Sequence, residues 1–156
     1  MARKKTGVRY LNVNYNVNEN KRTVACVLTS GICLDNVPYI GMLIHCPEWN
    51  NVMKNARIES WINDETGKSN LYVVHEVVEF ADCNPDDKFD ASLGKKIALT
   101  RAQKESFKIA SEFYAFAESC ILNAAERMNA LGENCDSSYK NCKNHVIELI
   151  DSAQKA

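Results

Sequence analysis

The hydrophobic period of the chain changes once, and this change limits the fold more than any other feature. Before Cys83, apolar and polar residues tend to alternate; after Thr100, apolar residues recur every three or four positions. A period of two places side chains on alternate faces of a strand, whereas a period near 3.6 is typical of an amphipathic helix. The sequence therefore predicts an α+β fold: an N-terminal antiparallel sheet followed by a C-terminal two-helix hairpin.

The first strands are predicted from alternation. Within segment 11–17 one face carries the apolar side chains and the other the asparagines: Leu11, Val13, Tyr15 and Val17 against Asn12, Asn14 and Asn16. A polar turn at 18–22 separates this segment from a β-branched run at 23–29, so the two predict a hairpin.

The middle of the sheet region is predicted from turn residues. A third strand is expected over 37–44, with Pro38 at its start, where a missing N–H is tolerated. A short helix is expected over 46–56, with Pro47 at its first position. The segments 57–62 and 71–83 flank a polar turn that contains Gly67, and this arrangement predicts a second hairpin.

Two helices are predicted after a connector at 84–99. Thr100 and Gln103 fit a capping box that opens a helix over 101–131, and Gly132 is the expected stop. A second helix is predicted over 137–154, where a narrow stripe steps by three and four residues: Tyr139, Cys142, Val146, Leu149 and Ala153. Strands within 7–83, the connector and these helices together make a single domain over 1–156.

The long helix is predicted to be apolar on more than one side. Phe107, Tyr114, Ile121 and Leu122 lie off its main stripe. One explanation is a homo-oligomer, in which a second subunit covers these residues. The alternative is a broad apolar face inside one monomer.

Composition excludes several classes of protein. A length of 156 residues matches one domain, and a net charge of −1 argues against a nucleic-acid-binding chain. No apolar run approaches the ~18 residues of a membrane span, and no signal-peptide core follows the basic start. The expected location is therefore cytoplasmic, with no membrane partner. The seven cysteines include no CxxC pair, so we expect reduced thiols and no zinc site.

The densest chemistry lies in "CNPDDKFDASLGKKIALTRA", residues 83–102. Gly94 permits a close approach, and Arg101 is predicted in the first turn of the long helix, where free N–H groups attract anions. Lys95 and Lys96 add charge, and Phe89 or Phe107 would stack on a base. The alternative interpretation has Phe89 as a core residue and the lysines solvated.

The acids of the same segment have an ordinary explanation. Asp86, Asp87 and Asp90 carry the oxygen ligands that hard cations prefer, but their spacing does not match a calcium loop. Aspartates are common in turns and at helix starts. We therefore expect no metal site and no cofactor.

Enzyme chemistry finds little support in the sequence. His45 precedes Cys46, and His75 precedes Glu76, but neighbours on a strand point to opposite faces. No nucleophile elbow, zinc-binding HExxH motif or paired carboxylates occur. The histidines are expected to be structural, and the protein is expected not to be an enzyme.

The segment "FADCNPDDKFDASLGKKIALTRA" resembles a segment of small bacteriophage and prophage proteins. The pattern is Ala-x-Cys, then Pro-x-Asp-x-Phe, then Gly-x-x-x-Ala-x-x-Arg-Ala, and the chain supplies Ala81, Cys83, Pro85, Asp87, Phe89, Gly94, Ala98, Arg101 and Ala102. Some phage proteins of this build resemble the Thoeris anti-defence sponges. That resemblance implies sequestration of a cyclic ADP-ribose signal, without catalysis, in the cytoplasm of a bacterial host.

Two functions remain in competition on sequence alone. In the first, a small anionic nucleotide is bound by Phe89, Lys95, Lys96, Arg101 and Phe107. In the second, the chain is a protein-binding inhibitor or accessory factor that acts through an apolar helical face. Nucleic-acid binding is a weaker third hypothesis, resting on the basic segments 1–5 and 18–22.

Overall fold

The computed structural model describes residues 5–35 and 37–155. The predicted α+β class is confirmed, with a four-stranded antiparallel sheet followed by a long C-terminal helix. In chain order the elements are β1 Val8–Asn18, β2 Thr23–Cys33, α1 Ile40–Ile44, α2 Trp49–Val52, β3 Arg57–Ile62, β4 Ser69–Asp82 and α3 Ala91–Lys155.

Both predicted hairpins are present. The order across the sheet is β1-β2-β4-β3, and every neighbouring pair is antiparallel. β2 and β4 pair from Thr23 with Asp82 to Cys33 with Tyr72, so they form the buried centre of the sheet. β3 pairs only with the first part of β4, from Ser69 to Val74.

A bulge in β1 changes which residues face the core. The register shifts between Tyr10 and Asn12, which leaves Leu11 without a partner. An extra residue reverses the alternation, so Tyr10 and Val13 both pack on the core while Leu11 lines a groove with Trp61. The prediction that Leu11 shares a face with Val13 is therefore wrong, although the alternation holds after Asn12.

The predicted third strand is wrong. Residues 38–39 form a turn, and Ile40–Ile44 form α1. This short helix buries Leu43 completely, and Ile40 packs against the cluster that contains Ile32 and Phe113. An apolar run of this length suits a buried helical turn as well as a strand. The predicted helix over 46–56 is present only as α2, and Pro47 lies in the turn before it.

The two-helix hairpin is also wrong, because α3 is one helix from Ala91 to Lys155. The true cap is Asp90, whose Oδ1 accepts a bond of 3.1 Å from Leu93 N. Thr100 lies inside the helix and donates to Lys96 O at 2.8 Å. Gly132 also lies inside the helix and lacks the positive φ of a helix stop, at a propensity cost of about 1 kcal/mol.

Small residues let α3 approach the sheet closely. Ala98 and Ala102 are buried against Cys26 and Leu28, and a Cβ at Gly94 would lie 2.6 Å from Val24 Cγ2. The predicted close approach at Gly94 is therefore confirmed. The chain divides into two compact units, with the boundary between Phe116 and Ala117. Within the described residues, no helix is both long enough and apolar enough to cross a membrane.

Candidate functional site

The connector between β4 and α3 is held in place by Arg22. This residue has a left-handed backbone with φ of 57°, and its carbonyl oxygen accepts a bond of 2.9 Å from Cys83 N. Its guanidinium donates to the carbonyl oxygens of Asn84, at 3.1 Å, and Asp87. The guanidinium thus ties the connector to the β1–β2 turn. A single Arg in a polar turn gives no sequence signal for this role.

Two of the predicted cations, Lys95 and Arg101, lie on different sides of α3. Lys95 Nζ lies 5.5 Å from the centre of the Tyr15 ring, on the β1 side. Arg101 donates a bond of 2.6 Å to Phe80 O, on the β4 side. Lys95 lies three residues before the buried Ala98, and Arg101 lies three residues after it. With 3.6 residues per turn, the two side chains are about 120° apart around the helix. The two charges therefore do not converge on one ligand.

The other predicted ligand residues are also separated. Lys96 is exposed, and Phe89 is half-buried in a cleft of about 270 Å³ beside Leu93 and Ile97. Phe107 follows Lys95 by twelve residues, or ~18 Å along the helix axis. Arg101 is not in the first turn of α3, so the prediction that it adds to free helix N–H groups is wrong. The structure does not bring the predicted set together.

Phe107 instead lines a second cleft, which we call the terminal cleft. It has a volume of about 650 Å³ and is lined by Lys5, Thr6, Gly7, Val8, Phe107, Ala110, Ser111 and Tyr114. The Tyr114 hydroxyl donates to Thr6 O at 3.0 Å, and burial raises its pKa, so the phenol keeps its proton. Phe107 is 43% exposed, and its ring centroid lies 6.3 Å from that of Tyr10 in an edge-to-face arrangement. The terminal cleft thus offers an aromatic face, one cation and several hydroxyl groups.

A polar cluster lies buried between α3 and the sheet. Ser30 Oγ lies 2.8 Å from His75 Nε2 and donates to Ser106 Oγ at 3.1 Å. Because the Ser30 hydrogen goes to Ser106, Nε2 must carry the imidazole proton and Nδ1 is left as an acceptor. Burial lowers the pKa of His75, which favours this neutral form.

This cluster is not arranged as a catalytic dyad. Ser30 is completely buried, and no acid among the described residues orients Nδ1, which has no hydrogen-bond partner within them. His75 was expected to be structural, and its bond to Ser30 does fix part of the core. No local sequence pattern indicates this pairing, because Ser30 and His75 are brought together by the β2–β4 register.

The C-terminal part of α3 presents an apolar stripe. Every residue from Ala125 to Lys155 is exposed. Within this part and the turn before it, apolar or small residues recur by alternating steps of four and three: Ile121, Ala125, Met128, Gly132, Cys135, Tyr139, Cys142, Val146, Leu149 and Ala153. We call these positions the assembly stripe. The sequence predicted the last five of these positions as the seam between the two helices of a hairpin. Because α3 is a single helix, this packing between two helices of one chain is not formed.

Comparison with known proteins adds no assignment. No protein-family model, curated protein or solved structure matches the chain. The resemblance to phage anti-defence proteins therefore stays a prediction, and functional proposals rest on the clefts and surfaces described above.

Proposed function

We propose that this chain is a non-catalytic, protein-binding accessory factor, and that its assembly stripe pairs with the same stripe of a second copy. The observation that carries the proposal is the exposed 3,4 repeat of α3. It continues for more than four heptads, whereas three to four heptads already indicate a coiled coil. A single helix cannot bury this repeat by itself, so the partner must be another helix with the same spacing.

The residues at the core positions favour an antiparallel pair. A heptad has two core positions, a and d. In an antiparallel coil each a position faces a d position of the partner helix. Centring the seam between Tyr139 and Cys142 places Gly132 opposite Leu149 and Met128 opposite Ala153. Each large side chain then meets a small one, as close packing requires. A parallel pair would place Gly132 opposite itself and leave a void, which costs stability.

The flanking charges agree with the same arrangement. In this register Asp136 lies beside Lys143 of the second copy, and symmetry repeats the pair on the other end. In a parallel coil, Asp136 would instead flank Leu131 and Lys143 would flank Ser138. Opposite charges at such flanking positions set helix orientation more than they add stability.

Light scattering with two matched variants tests the assembly. At micromolar concentration we expect the wild-type protein to have the mass of a dimer. Val146→Glu should raise the dissociation constant at least about 100-fold, since each dimer would bury two unpaired carboxylates. Ile147→Glu is the control: position 147 is equally exposed but lies beside the stripe, so the dimer should persist.

Both variants should keep the monomer fold, because both side chains are exposed in the single chain. Circular dichroism at matched concentration checks this. A monomer mass for the wild-type protein, or equal effects of the two substitutions, would refute assembly through the stripe.

Binding of a small anionic nucleotide is the second candidate function. The terminal cleft favours it, because Phe107, one of the predicted ligand residues, lies there beside Lys5 and the Ser111 hydroxyl. Stacking of a base on an aromatic ring is sequence-tolerant and worth about 1–3 kcal/mol. In this proposal Phe107 stacks on the base and Lys5 pairs with phosphate, while Arg101 stays on the backbone of β4.

A further inference from the structure

The edge of β4 beyond Val74 has no neighbouring strand on the β3 side within the described residues. Successive residues of a strand point their backbone groups to opposite sides. Leu71 O points towards β2, since it accepts from Leu34 N at 2.9 Å, whereas Phe80 O accepts from the Arg101 side chain. The N–H and C=O groups of Glu76 and Val78 therefore point to the open side.

A cleft of about 640 Å³ lies against this edge, and we call it the edge cleft. One wall is formed by residues 51–57, where the chain turns away from β4 through Asn55 at φ of 59°. The other residues that line it come from β4 and α3: His75, Glu76, Val78, Ile109 and Glu112. The two residues whose backbone groups point outward thus both line the same cleft.

His75 gives a second, independent sign that a ligand enters here. The residue is 96% buried, as its exposed fraction is 4%, and it lines the edge cleft. In the part of the chain that the structure describes, its Nδ1 has no hydrogen-bond partner, although almost all buried polar groups in native proteins have one. With Nε2 bonded to Ser30, Nδ1 is left as an acceptor for a hydrogen-bond donor that enters the cleft.

We propose that the edge cleft binds an extended peptide that adds to β4 as a strand, in line with β3 and antiparallel to β4. Its backbone pairs with Glu76 and Val78, in the manner of strand addition. Its side chains alternate between two surfaces. The peptide side chains on one surface meet His75, Ile109 and Glu112 on the α3 side. Those on the other surface lie beside the half-exposed Val78.

The residue on the α3 side is basic. A lysine ammonium donates to His75 Nδ1 and pairs with the Glu112 carboxylate, whereas an apolar residue leaves Nδ1 unsatisfied. The Arg101 side chain on Phe80 O closes the far end of the site, so the peptide is short. This binding is separate from the assembly stripe and does not depend on it.

Nuclear magnetic resonance titration with Ac-Thr-Val-Lys-Val-Thr-NH2 tests the proposal on the full chain. The amide resonances of Glu76 and Val78 should shift. The analogue with norleucine in place of lysine should bind at least about tenfold more weakly, because it lacks the donor. An analogue N-methylated on the backbone should not bind. Absence of shifts with the lysine peptide would refute the site. Equal affinity of the lysine peptide and the norleucine analogue would refute its basic specificity.

Two substitutions at position 78 provide matched variants. Val78→Pro removes an N–H that points away from the sheet, a position where proline is tolerated in edge strands, and should abolish binding. Val78→Thr keeps the N–H and should bind as the wild type does. Glu112→Gln should reduce the preference for lysine without disturbing the core, because Glu112 is exposed.

If Val78→Pro is folded by circular dichroism and still binds the peptide normally, strand addition is wrong. Shifts of Glu76 and Val78 on dilution of the protein alone would instead assign the edge to a second copy and overturn the peptide as its occupant.

Discussion

The guanidinium of Arg101 donates a 2.6 Å hydrogen bond to the carbonyl oxygen of Phe80. The bond joins the third turn of α3 to the open edge of β4, about 120° around the helix from Lys95. The same residue was predicted to hold phosphate at a helix start. Its position now distinguishes two placements of a nucleotide site.

The first prediction therefore concerns nucleotide binding. If the terminal cleft is the site, Phe107→Ala should weaken binding of a cyclic ADP-ribose-type nucleotide at least about fivefold, the lower end of a lost base stack. Arg101→Glu should change the affinity less than about twofold. Calorimetry on both variants and the wild type measures this. Loss of binding in Arg101→Glu alone would return the site to the connector, and a wild type that binds no nucleotide would end the nucleotide proposal.

The second prediction concerns the start of α3. Asp90→Ala should lower the free energy of unfolding by about 1 kcal/mol, because it removes the acceptor for Leu93 N and a negative charge at the helix start. Thr100→Ala should be neutral or slightly stabilising, because Thr100 lies inside the helix and alanine has the higher propensity. Urea unfolding of both variants checks the difference. A loss in Thr100→Ala together with a neutral Asp90→Ala would contradict the cap at Asp90.

The strands were predictable because their signal is local. Alternation in β1, the β-branched residues of β2 and the turn around Gly67 each act over a few residues, and the hairpins follow from adjacency. The bulge at Leu11 was not predictable, because one extra residue leaves the amino-acid composition of a strand unchanged. Burial against the rest of the core, and not local propensity, decided that 40–44 became a helix.

The helix ends were predicted wrongly because a capping residue stabilises a helix end but does not create one. Thr100 bonds back to Lys96 within the helix, and Gly132 stands between the good helix formers Leu131 and Glu133. The candidate sites were harder still. Neighbours such as Lys95 and Arg101 diverge around α3, whereas Ser30 and His75, far apart in sequence, meet across the sheet.

The third prediction is a pH dependence of stability that His75 contributes. Burial lowers its pKa in the folded chain, so the unfolded chain takes up this proton first as the pH falls. The stabilisation is complete above the unfolded pKa of about 6.5 and is lost progressively below it, down to the folded pKa. In His75→Gln, where an amide can still donate to Ser30, this part of the acid destabilisation should disappear.

Urea midpoints of wild type and His75→Gln at pH 7.5, 6.5 and 5.5 measure the effect. The wild-type midpoint should fall more steeply than that of the variant over this range. Parallel pH profiles would show that His75 titrates alike in the folded and unfolded chains, and the burial argument would fail.

The last prediction tests the orientation of the proposed helix pair. In the antiparallel register Cys135 faces Val146 of the second copy, so Val146→Cys in a Cys142→Ser background should form an interchain disulfide between positions 135 and 146 on mild oxidation. Within one helix these positions are separated by ~16 Å along the axis, too far for an intrachain bond. Ile147→Cys in the same background is the control and should cross-link much more slowly. Trypsin cleaves after Lys140 and Lys143, so mass spectrometry separates the two thiols. Cross-links that join 146 to 146, or 135 to 135, would instead show a parallel pair, in which Gly132 faces itself and the packing argument for the antiparallel coil is wrong.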